Sequence, residues 1–227
     1  MKYEIFGGNL PAVTIQLDQG ESIYTQRGGM SWMTSEISME TNAKGGMMKG
    51  LARKFLLGES IFKATYTADA AGQSFTAASS FPGGIIAWDV SGKTLIAQTS
   101  AFLCAEMGVE LSTYTVPGLG AMFVGGEGMF MQKLSGEGLV FLEIDGSVKE
   151  IELGAGEIMK INTGSIAAFE ESVTFSIERI KGFKNIVFGG EGLFISTLEG
   201  PGKIWLQTMS KSALASQLVP FMPVREN

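Results

Sequence analysis

The sequence predicts an all-β chain of short strands joined by tight glycine turns. Three observations carry that prediction. Apolar and polar residues alternate with period two, glycine-rich steps separate the alternating runs roughly every ten residues, and a glycine-flanked glutamate motif returns along the chain. Strands of that length and spacing suit a sandwich, a jelly roll or a barrel.

Taken in order, "AVTIQLD" sets Val13, Ile15 and Leu17 on one face. Residues 46–56 instead place Met47, Met48, Leu51 and Phe55 at helical spacing, inside a basic stretch over 44–55. "GKTLIAQTSAFLCAEMG" (92–108) predicts one or two longer strands that bury Cys104 as a small hydrophobe. "GLVFLEIDGSVKEIELGAGEIMKI" predicts three short strands, turned at Asp145-Gly146 and at Gly154–Gly156. "VTFSIERI" (173–180) directs Val173, Phe175 and Ile177 to one side. "SKSALASQL" (210–218) predicts a second short helix, with a serine cap and a stop at Pro220.

The repeat adds architecture. "GGEGMFMQKLSGEGLVFL" (125–142) and "GGEGLFISTLEGPGKIWL" (189–206) share nine of eighteen positions, and "LLGESIFKATYTA" (56–68) is a fainter copy. Glu59, Glu127 and Glu191 mark the three at nearly constant spacing. One supersecondary unit used about three times predicts two or three stacked β-layers in a single domain over 1–227.

Composition excludes more than it selects. Net charge is −6, whereas a nucleic-acid grip needs a basic face, so no nucleic-acid partner is expected. The chain has no histidine and one cysteine. That removes Ser-His and Cys-His nucleophile pairs, ordinary zinc sites within one chain, and intrachain disulfides. No phosphate loop, calcium loop or nucleophile elbow is present. No apolar run reads as a signal peptide or a membrane-spanning helix, and a cytoplasmic location is expected.

The three stretches, which extend to 124–157 and 188–210, resemble the signature motifs of the family named after the altered-inheritance-of-mitochondria protein twenty-four. The resemblance covers nearly the whole chain. It implies a double-stranded β-helix of jelly-roll type, grouped as TRAP-like with the tryptophan-RNA-binding attenuation protein, and a homo-oligomer, a trimer or larger. It implies no reaction. Where many members carry Gly-His this chain has Gly164-Ser165, which weakens a metal or base role at that point.

Two functional classes follow. The preferred one is a non-catalytic oligomeric scaffold or interaction protein, not an enzyme and without a cofactor. The alternative is a small-molecule or metal-ion binder that uses carboxylates in a jelly-roll cavity. Glu59, Glu127 and Glu191 are read as acceptors for turn amides, with a shared cation site as the sharper reading. Glu170-Glu171 could be a paired-carboxylate acid/base site, but adjacent strand residues point to opposite faces, and the pair is read as a turn or an exposed corner. Trp32, Trp88 and Trp205 could line a ligand pocket, although Trp205 fills the apolar slot that Phe141 holds in the other copy. The 44–55 stretch is expected to pack on the protein and not on a membrane.

Overall fold

The computed structural model describes residues 1–26, 29–43, 62–115, 130–179 and 194–222. They form an all-β chain with one short helix, arranged as four antiparallel layers. The first layer orders β1 (Lys2–Phe6), β2 (Ala12–Leu17), β7 (Gln73–Ala78) and β4 (Trp32–Met33). The second is six-stranded: β5 (Ile37–Ala43), β6 (Phe62–Ala68), β3 (Ser22–Thr25), β10 (Phe102–Glu106), β13 (Leu139–Asp145) and β8 (Gly83–Asp89).

The third layer has the same strand count: β11 (Val109–Thr113), β12 (Met131–Gly136), β9 (Leu95–Gln98), β16 (Ile166–Glu170), β19 (Gly202–Gln207) and β14 (Val148–Leu153). The fourth holds β15 (Ile158–Asn162), β18 (Phe194–Glu199) and β17 (Thr174–Arg179).

Three cores fill the spaces between the layers. Val13, Ile15, Leu17 and Phe75 of the first layer meet Ile23, Tyr66, Cys104 and Phe141 of the second. Tyr24, Val140 and Leu142 of the second meet Leu95, Leu134 and Trp205 of the third. Ile96, Phe169 and Ile204 of the third meet Ile161, Phe175 and Leu198 of the fourth. The two central layers are therefore apolar on both faces. That is why β9, β10, β13 and β16 read as continuous apolar runs, while β2 and β17 alternate. The expectation of two or three layers falls short for this reason, since period two reports only strands with one wet face.

The central layers share one hydrogen-bonding scheme. Cys104 pairs with Phe141 and Ala105 with Val140 in the second layer. Ala168 pairs with Trp205 and Phe169 with Ile204 in the third, each partner displaced by the same number of residues. A register irregularity falls at the corresponding place in both, Phe102/Cys104 and Ile166/Ala168. β10 also joins β3 (Cys104↔Thr25, Ala105↔Tyr24), as β16 joins β9 (Ala168↔Ala97, Phe169↔Ile96).

The Asp145-Gly146 step carries the chain from the second layer to the third: β13 pairs with β8 and β10, whereas β14 pairs with β19. Helix α1 (Lys211–Leu218) forms where its Ser210 cap predicts, with the Ser210 hydroxyl accepting from the Ala213 amide at 3.2 Å. The helical candidate at 46–56 lies outside the described residues.

Candidate functional site

Among the described residues, the densest group of buried charges lies where α1 meets the second layer. Glu143 and Asp145 alternate on β13 and are each only 7% exposed. Glu143 accepts hydrogen bonds from the Ser79 hydroxyl (2.9 Å), the Ser80 amide (2.7 Å) and the Ser80 hydroxyl (2.9 Å). The Lys211 ammonium completes its shell at 2.8 Å and reaches Asp145 at 3.5 Å. Asp145 also accepts from the Lys211 amide at 3.2 Å, and its own amide donates to Gln207 Oε1 at 3.3 Å.

The two carboxyls are pushed in opposite directions. Burial raises both, but for Glu143 the Lys211 and Ser80 bonds outweigh it and hold the carboxyl below its ordinary value. Asp145 has fewer and longer bonds, so burial wins and its pKa rises.

Carboxyls driven apart in this way can serve acid–base chemistry, and Ser80 Oγ lies 3.4 Å from Lys211 Nζ. The arrangement nevertheless lacks a base for the serine. Lys211 is committed to the two carboxyls, at 2.8 and 3.5 Å, and Ser80 donates to a carboxylate whose lowered pKa makes it a weak acceptor of that proton. The ammonium also fills the position a metal cation would take. Among the described residues, no group of three or more Asp, Glu, Cys or His side chains could hold a metal ion. The cluster is a clasp that fastens α1 to β13.

The residues singled out from the sequence fall elsewhere. Glu59, Glu127 and Glu191 lie outside the described residues, as does the 44–55 stretch. Trp88 and Trp205 meet edge to face at 4.6 Å against the core between the second and third layers. Trp32 sits on the first layer beside Phe6, so the three tryptophans do not share a pocket. Cys104 is fully buried, and desolvation pushes its thiol pKa up. Glu171 is an exposed partner of Lys133 at 2.5 Å.

Glu170 does something the sequence reading missed. Its Oε2 accepts from the Lys203 amide at 2.9 Å, at the start of β19. Glu106 does the same for the Leu139 amide at the start of β13, at 2.8 Å. At the matching place in the first layer, the Thr34 hydroxyl accepts from the Ser74 amide at 3.1 Å. Gly138 and Gly202 precede the two carboxylate-capped amides with φ +110° and +143°; a Cβ at Gly138 would press on the capping Glu106, and one at Gly202 on Ser172 and Val173 beside Glu170. Carboxylates that cap turn amides thus exist here, at Glu106 and Glu170. The usable signal was their equal distance from the following Gly-x-Gly, not a Gly-Glu dipeptide.

The family model described as Mitochondrial biogenesis AIM24 matches residues 3–209. The chain belongs to the AIM24 family. It is 28% identical over 223 residues to an uncharacterized protein of Streptococcus pyogenes serotype M6, covering 96% of this chain and 89% of that one. It is also similar to the X-ray crystal structure of a Streptococcus pyogenes protein. The TM-score is 0.80 at 25% identity, over 97% of this chain and 99% of that one. The AIM24 match spans both central layers with Glu143 and Asp145 of the clasp, and ends just before Lys211 and α1. No helix among the described residues is long and apolar enough to cross a membrane.

Proposed function

We propose that the chain is a non-catalytic scaffold that works as a homo-oligomer, with the β-layers as its rigid body and its loops as the contact surface. The observation that carries this reading is the clasp: its buried charged groups are already bonded to one another, to serines and to backbone amides. The three cores between layers are packed by apolar side chains, which supports a filled interior over a ligand cavity. The acidic net charge supports a partner other than nucleic acid.

On this reading each unit is six strands, three in one layer and three in the next, in the manner of a double-stranded β-helix. Three such units in tandem make one domain, and the protein works in the cytoplasm. Native mass spectrometry of protein purified from its own cells tests the proposal. Particles of several chains with no added mass are expected. A retained small molecule or metal in stoichiometric amount would overturn it in favour of a binding protein.

A further inference from the structure

The turns that carry the chain from layer to layer form a series. The orders β4-β7-β2, β10-β13-β8 and β16-β19-β14 repeat one three-strand arrangement in the first three layers. Residues 79–82 lead from β7 in the first layer to β8 in the second, and 146–147 lead from β13 in the second to β14 in the third. Each junction rests on the one before it. The Gly83 amide donates to the Asn9 carbonyl and the Gly146 amide to the Pro82 carbonyl, both at 2.9 Å, and the Met209 amide donates to the Asp145 carbonyl at 3.3 Å. After β19 the series calls for a strand placed like β8 or β14. Within one copy β19 runs into α1 instead, while β2, the counterpart of β8 and β14, is entered from β1 through residues 7–11.

Both ends of this series carry uncovered apolar surface. At the C-terminal end α1 buries none of its residues, Phe221 is 85% exposed, and Leu218, Val219 and Met222 are at least half exposed. At the N-terminal end Leu10 is 67% exposed, with Ile5 and Phe6 of β1 exposed beside it in sequence. No charged residue lies between Ser212 and Met222, or between Ile5 and Leu10. Joining these two surfaces would desolvate no side-chain charge on either, as in the core of a protein interface. The family match ends at residue 209, so the arm over 211–222 lies beyond it.

We propose that the C-terminal arm, α1 with the turn that follows it, lies as a strap across β1 and the 7–11 turn of a second copy. The inference rests on the oligomeric reading above and adds to it a contact made by this chain's own arm. The end of β19 in one copy and the start of β2 in the next then stand as the two sides of one layer-to-layer junction. That places Leu10 of the second copy beside the root of α1. Eight helical residues span about 12 Å, enough to carry Leu218 and Phe221 from that root onto β1 of the second copy. The clasp gains a purpose here, because Lys211 fixes the root of a helix that buries nothing in its own copy.

The test uses the full chain with single added cysteines, since Cys104 is buried and silent. Leu10→Cys and Phe221→Cys chains are co-expressed, purified together and treated with a short bis-maleimide. Thiol labelling of Leu10→Cys is timed with and without Phe221→Asp, and the wild type is measured by light scattering. The expected result is a covalent dimer from the co-expressed pair and from neither variant alone. Labelling of Leu10→Cys should be about tenfold faster once Phe221→Asp is added, with the melting temperature kept. A wild-type monomer would overturn both the oligomer and the strap. An oligomer whose co-expressed pair fails to link, or whose labelling ignores Phe221→Asp, would overturn the strap alone. A Leu10→Cys/Phe221→Cys double variant that links only within its own chain would overturn it as well, because the arm would then cover its own copy.

Discussion

Glu106 and Glu170 show how one side chain fixes the start of a strand. A carboxylate that accepts from an otherwise free amide contributes a charge-assisted bond, which a neutral acceptor supplies only in part. Glu106→Ala and Glu170→Ala are expected to lower stability by about 1–3 kcal/mol each, and the glutamine variants by less. Urea titration of the four variants checks the order. The clasp gives a second residue-scale prediction, with opposite signs at its two carboxyls. Glu143 has a lowered pKa in the fold, so its ionised form stabilises above the ordinary carboxylate range and that contribution is lost as pH falls. The deficit of Glu143→Gln should be greatest at neutral pH and shrink in acid. Asp145 has a raised pKa, so its ionisation costs stability as pH rises through the same range. Asp145→Asn should therefore be better tolerated at neutral pH than in acid. Melting curves across pH 3–7 separate the two, and parallel profiles would refute the assignment.

Among the elements, α1 depends most on a single contact. It has eight residues and buries none of them, whereas isolated helices need roughly twelve to fifteen residues even for marginal stability. The Ser210 cap and the Lys211 bonds hold it in place. Lys211→Met is expected to release hydrogen-exchange protection across 211–218 while β9, β10 and β13 stay protected. Uniform loss throughout the chain would instead show that the clasp supports the sheets. The helix itself was legible, since Ser210 and Pro220 bound it in the sequence. The outer strands were legible too, because Val13, Ile15 and Leu17 alternate with Thr14 and Gln16. The layer assignment was not. "LVFLEID" and "FLCAE" are apolar without period, and only pairing partners far along the chain tell which faces they cover. The clasp was hidden for the same reason: Ser80, Glu143 and Lys211 meet across long sequence separations.

At the scale of the whole molecule, each central layer contributes to two cores. Phe141 seals the first core from β13, while Val140 beside it seals the second. Trp205 and Ile204 on β19 divide the second and third in the same way. Losing either central layer would open two cores at once, so the three cores should melt together. Tryptophan fluorescence, dominated among the cores by Trp88 and Trp205, should change at the same denaturant concentration as the far-UV signal. Two separated transitions would show that an outer layer unfolds by itself.

Cys104 turns that architecture into a clock. It is the chain's only thiol, sealed between the first and second layers, and so chemically silent until they part. A thiol reagent added to the folded protein will be consumed at the pace of layer separation. At saturating reagent, that pace gives the rate of opening. Read beside the fluorescence of Trp88 and Trp205 one core away, the same sample times two interfaces without any added label. A lag between thiol capture and tryptophan exposure measures how long a partly peeled stack survives.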